Sequence, residues 1–267
     1  KIITSGPFGF NICSKRFRRM SAFIIRRWWL IRNRLMSSIA LAFIVPFILS
    51  IVTVFGTKNI IIQSINGQPY EVWVLPGLMM FMSAVLITPL IYRDFFDLRI
   101  HNKALIPMTL APIRKSTIIL GILFSALLEV IVIIIIGLGI YSIIFPQAVA
   151  IEQVGFIIMY SIIFALLYGN IIILLSLFTE RISVFMSALL TTLISIMFAC
   201  GLFIEFPFFP NSMSSVFQYF PLSMVSVACR SILFIGSFDT FNTLTPLAVT
   251  IILIVINSFL LKRKMKQ

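Results

Sequence analysis

Six runs of apolar residues alternate along this chain with short polar tracts. They read as Ser38–Phe55, Val72–Tyr92, Ile118–Phe145, Val154–Phe178, Ile182–Ile204 and Leu244–Leu261. A helix rising 1.5 Å per residue needs roughly 17–25 residues to cross a bilayer's ~30 Å hydrocarbon layer, and every run meets that length. The pattern predicts an all-α integral membrane protein of six transmembrane helices, forming a single domain over residues 1–267. Pro46 predicts a bend in the first span. Pro76–Gly77 and Thr88–Pro89 mark the second, where proline removes a backbone donor and glycine lets another helix come close.

Two stretches break the simple alternation. In residues 15–36, Phe17, Met20, Ile24, Trp28, Ile31 and Leu35 recur at helical spacing and share one stripe. Arg16, Arg19, Arg26, Arg27 and Arg34 fall largely on the opposite side. This predicts an amphipathic helix lying in the membrane interface, with Arg26 and Arg27 toward anionic headgroups and Trp28 and Trp29 at the boundary. The plainer alternative is a basic stop signal that only sets orientation. Residues 1–10 read as a flexible lead, and because Lys1 is not Met the natural start is expected upstream. The second stretch, residues 205–243, is too apolar for a solvated loop, yet Pro207, Pro210, Pro221 and Gly236 break it. It predicts a re-entrant pair of short helices on the outer face, since irregular backbone at membrane depth must lie against protein or a wet cavity. The competing reading is one tilted span over Phe220–Phe238.

Composition agrees with a lipid-embedded chain. Mean hydropathy is +1.12, 60% of residues are apolar and 11% are charged, against about 25% charged in soluble domains. The net charge of +13 does not point to nucleic acid, because Lys and Arg sit in short tracts between the spans. Threading with both termini in the cytoplasm places 19 of the 21 Lys and Arg inside and leaves only Lys58 and Arg230 outside. The opposite orientation reverses that ratio, so the positive-inside rule selects the first.

Enzymatic signals are sparse. The sequence has no GxxxxGK[ST] phosphate loop, no HExxH and no GxSxG, and its single histidine cannot build a metal site with the acids available. No cofactor or catalytic residue is expected. Glu129, in the middle of the third span, is the one ionisable side chain deep in an apolar run. It reads either as a substrate-path or gating residue or as a protonated acid hydrogen-bonded to a neighbouring helix. Asn170 and Tyr168 in the fourth span read as interhelical glue. Between the second and third spans, residues 93–117 mix acids, bases and apolar groups. Asp94, Asp97, Arg99, His101 and Lys103 can present a polar surface while Phe95, Phe96 and Leu98 hold the segment against the membrane. That mixture suits a protein contact better than a lipid one.

Four features follow one another in order: the amphipathic N-terminal helix, VLPGLMMFMSA opening the second span, ALIPMTLAPIRKSTIILGILFSALLE running into the third, and YFPLSMVSVACRSILFIG between the fifth and sixth. In this order and spacing they resemble the permease subunit of type II ABC exporters, the family that includes drug, nodulation-factor and polysaccharide exporters. The resemblance covers Lys15 to Lys266. It implies six spans, a bacterial cytoplasmic-membrane location, a second permease copy as a dimer partner, and a separate ATPase subunit docking on the 93–117 coupling loop. The chain departs from the family at Phe220, where many members carry Asn before the proline. The expected function is export of a hydrophobic, lipid-linked or drug-like substrate. The alternative is an ATP-independent secondary transporter or channel, which predicts more charge inside the spans or inverted repeats.

Overall fold

The computed structural model describes residues 11–33, 35–58, 67–100, 114–146 and 151–264. Among them the chain is helical and contains no strand. The helices are α1 (Asn11–Asn33), α2 (Leu35–Lys58), α3 (Tyr70–Ile91), α4 (Lys115–Ile144), α5 (Ile151–Phe178) and α6 (Ile182–Ala199), then the short α7 (Asn211–Gln218) and α8 (Pro221–Arg230), and finally α9 (Thr240–Lys264). Six of the described helices are long and apolar enough to cross a membrane, at the places the hydrophobic pattern predicts. These apolar helices mark a multi-pass membrane protein.

Two boundaries differ from the sequence reading. The second span does not stop at Tyr92: a π-helical turn over Tyr92–Asp97 and one more turn to Ile100 carry it on, making a continuous stretch Tyr70–Ile100. The first eight residues assigned to the 93–117 loop are therefore helix. The fifth span ends at Ala199, short of Ile204, because Gly201 adopts φ +61° and turns the chain across α3. There the Leu202 carbonyl lies where a side chain on Gly77 would go, 2.2 Å from an ideal Cβ, so only glycine permits this crossing.

Helices α3, α4 and α5 form the centre. Of their most apolar stretches 72%, 61% and 67% is buried, against 22%, 17% and 22% for α2, α6 and α9. The outer three thus present wide apolar faces, including Phe43, Leu190, Ile194 and Phe259. Inside the bundle, Asn257 of α9 is fully buried and its Nδ2 donates to the Asn170 carbonyl of α5 at 3.0 Å. The link runs mainly through the Asn170 backbone: the Asn170 side-chain amide donates within α5 to the Leu166 carbonyl at 2.8 Å, and its Oδ1 accepts from Asn257 Nδ2 at 3.4 Å.

Polar contacts sort the helix ends. At one end, Tyr70 Oη donates to the Phe203 carbonyl at 3.1 Å and Tyr141 Oη to the Glu71 carbonyl at 2.7 Å. At the other, Arg99 Nη1 donates to the Leu177 carbonyl at 3.2 Å and Lys264 Nζ to Glu180 Oε1 at 3.0 Å. Residues 93–100, the 179–181 turn and the last turn of α9 therefore share one end, as alternate threading requires. Helix α7 and the stretch Pro221–Ile235 meet at 88°. Their junction lies beside Tyr168 and Thr192, near the middle of α5 and α6. Arg230, at the end of α8, returns to the Tyr70 end, donates to the Leu202 carbonyl at 2.9 Å and stacks 3.7 Å over the Trp73 ring.

Candidate functional site

Charged side chains converge where α1 crosses α4 and the end of α3. Phe23 of α1 packs its ring on Gly121 of α4, and one helical turn later Arg27 points into the bundle, only 4% exposed. Its Nε donates to Glu129 Oε2 at 2.6 Å and its Nη1 donates to Asp94 Oδ2. Arg26 Nη2 and Arg93 Nε each reach Asp94 Oδ1 at 3.4 Å. Asp94 is 3% exposed. A π-turn adds a residue per turn relative to α-helix and re-aims the side chains that follow. In the Tyr92–Asp97 turn it accompanies Asp94, Phe95 and Phe96 facing inward.

The cluster corrects three sequence assignments. Glu129 is not a lone acid seeking a hydroxyl or amide: it forms an ion pair with Arg27. Arg27 does not project freely from α1 but is buried against Asp94 and Glu129. A helical wheel separates apolar from polar positions, but it cannot show that the surface α1 lands on carries two carboxylates. Asp94 is spent in the same cluster and is not part of an exposed docking surface. Trp28 and Trp29, by contrast, are 64% and 67% exposed.

Arg99 has a different task from the one its loop position suggested. Its guanidinium donates to the carbonyls of Leu177 and Thr179, the open C-terminal end of α5. A cation there satisfies orphan carbonyls and complements the helix dipole. Around it, the Phe96 and Phe185 rings stack at 4.3 Å and 7°, and Tyr92 stacks on both at 5.7 and 6.0 Å. The Lys264 ammonium, hydrogen-bonded to Glu180 on the adjoining turn, holds that carboxyl below the usual carboxylate range. Asp97 is half-buried at the same end. His101 and Lys103 lie outside the described residues.

Arg99→Ala is expected to lower stability by about 1–2 kcal/mol, the usual worth of a partly exposed charged hydrogen bond to helix carbonyls. Thermal unfolding in detergent should show a lower midpoint, with Arg99→Lys partly restoring it. An unchanged midpoint for the alanine variant would contradict the capping role.

Two apolar clefts flank these features. One, about 370 Å³, lies in the elbow between α1, α2 and α4, with Arg27 and Glu129 in its wall. The other, about 300 Å³, lies between α5, α6 and the α7–α8 junction, beside Tyr168 and Phe220. Compared with known proteins, the chain matches no family model and no curated sequence.

Proposed function

We propose that this chain is the transmembrane subunit of an ATP-driven exporter, paired with a second copy of itself and powered by a separate ATPase subunit. The observation that carries the reading is the grip on the end of α3. Through Asp94 it is tied to α1 and, by way of Arg27, to α4; through Phe96 it is stacked on α6; through Arg99 it caps α5. A push on the segment after Ile100 reaches four other helices at once, as a coupling element requires. Asp97, His101 and Lys103 would carry the ATPase contact, with Asp94 and Arg99 bracing it from behind. The exposed apolar faces of α2, α6 and α9 leave room for the second copy and for lipid. In this reading α1 lies in the cytoplasmic interface, α7 and α8 form a re-entrant pair on the outer face, and the cargo is hydrophobic or lipid-linked.

Orientation is tested first. With 19 of 21 Lys and Arg on one side, an impermeant thiol reagent outside intact cells should label a cysteine placed at Gln147 but not one at Gln267. The reverse pattern rejects the topology. The partner is tested by purification from native membranes: an ATPase chain should accompany the protein. Joint replacement of Asp97, His101 and Lys103 by alanine should release it while the permease stays folded. An ATPase still bound to that triple variant would place docking elsewhere.

A further inference from the structure

The elbow cleft has a lining that only one kind of occupant suits. Ile24, Trp28 and Ile31 of α1, Leu35 of α2, and Leu128 and Val132 of α4 make its walls. Four of these six belong to the apolar stripe read from the sequence as the lipid-facing side of α1. This part of the stripe therefore does not lie flat against a bilayer. It closes one side of a groove whose other side is a membrane-spanning helix. Water gains little in such a groove, because it offers almost no polar partner.

The exception is at the wall. Arg27 is nearly buried, and its Nη2 is enclosed without a hydrogen-bond partner. Among the described residues, the charges meeting there are Arg26, Arg27 and Arg93 against Asp94 and Glu129, three cations to two anions. One positive charge is left over, and the side chains of Arg26 and Arg93 stay about one-third exposed. An apolar groove beside an excess cation matches a molecule with a hydrocarbon tail and an anionic head.

We propose that the elbow between α1, α2 and α4 is a binding site for an anionic phospholipid, taken from the leaflet on the Arg26 side. One acyl chain fills the cleft, and the headgroup phosphate rests on the Arg26–Arg27–Arg93 cluster. The bound lipid acts as a wedge that sets the angle between α1 and α4, and with it the Arg27–Glu129 ion pair. The proposal rests on membrane insertion of the six apolar helices and not on the exporter reading, so either can fail without the other.

The test reconstitutes the full chain into vesicles of equal parts phosphatidylcholine and phosphatidylglycerol, re-extracts it into mild detergent and counts retained lipid by native mass spectrometry. One basic residue near a membrane surface is worth about 1 kcal/mol, so the wild type should keep phosphatidylglycerol about fivefold over phosphatidylcholine. Val132→Trp fills the groove and should lose the retained lipid; Leu128→Phe serves the same purpose should the first variant not elute as a folded species. Arg26→Gln should still hold lipid but bring the two headgroups near parity. Equal retention of both lipids by the wild type overturns the proposal. So does undiminished retention by a folded groove-filling variant, or a wild type that keeps no lipid because a second copy covers the cleft.

Discussion

Replacing Arg27 by Met is expected to remove most of the folded yield, at a cost of about 3–5 kcal/mol, because it strips the shared cation from a buried and a partly buried carboxylate. The two acids should not suffer equally. Asp94 keeps Arg26 and Arg93 at 3.4 Å, whereas among the described residues Glu129 pairs with Arg27 alone. Glu129→Gln in the Arg27→Met background should therefore recover more stability than Asp94→Asn. The triple variant, neutral at all three positions, should approach the wild type, since well-packed neutral groups replace buried ion clusters at little cost. In the native background Glu129→Gln preserves shape and should fold, while Glu129→Leu removes the hydrogen bond as well and should reduce yield. Size-exclusion profiles and thermal unfolding in detergent read all of these. An Arg27→Met protein that unfolds like the wild type would contradict the cluster's structural weight.

Gly77→Ala should be nearly as damaging, for a steric reason. Its Cβ would stand 2.2 Å from the Leu202 carbonyl oxygen and 3.0 Å from Arg230 Nη2, and the nearer obstacle is backbone that cannot rotate aside. Either α3 or the 201–202 turn must move, which loosens the Arg230 hydrogen bonds to Gly201 and Leu202 and its stack on Trp73. Overpacking of this kind costs about 1–3 kcal/mol, and the lost charged hydrogen bonds add to it. Gly139→Ala is the control: nothing lies within 4 Å of its Cβ, and it sits inside α4. There alanine should be neutral or stabilise by up to about 1 kcal/mol. Equal unfolding midpoints for the two variants would sink the argument.

The spans were legible because a helix long and apolar enough to cross a membrane advertises itself by length and hydropathy alone. The π-turn was not, because Tyr92–Asp97 carries no residue pattern that distinguishes it from the start of a polar loop, and nothing in that pattern shows that Asp94 faces inward. The Arg27–Glu129 pair spans 102 positions, and periodicity within one helix cannot reveal which neighbour that helix meets. Arg230 shows the same limit. From the sequence it was an outside cation; its role in pinning the 201–202 turn over Trp73 emerges only when α3 and α8 are brought together. Gly77 fared better, since a glycine beside proline in an apolar span signals close approach whatever the partner.

We propose that this chain moves cargo only when a partner hydrolyses ATP and pushes on the segment after Ile100. The direct measurement is ATP hydrolysis in proteoliposomes, with the purified chain alone and then with the proposed ATPase subunit added. The chain alone should hydrolyse nothing, and the pair should hydrolyse ATP and accumulate a hydrophobic or lipid-linked cargo in the lumen of vesicles whose ATP-binding face is outward. Hydrolysis by the isolated chain, or cargo movement by the isolated chain driven only by an ion gradient, would contradict it.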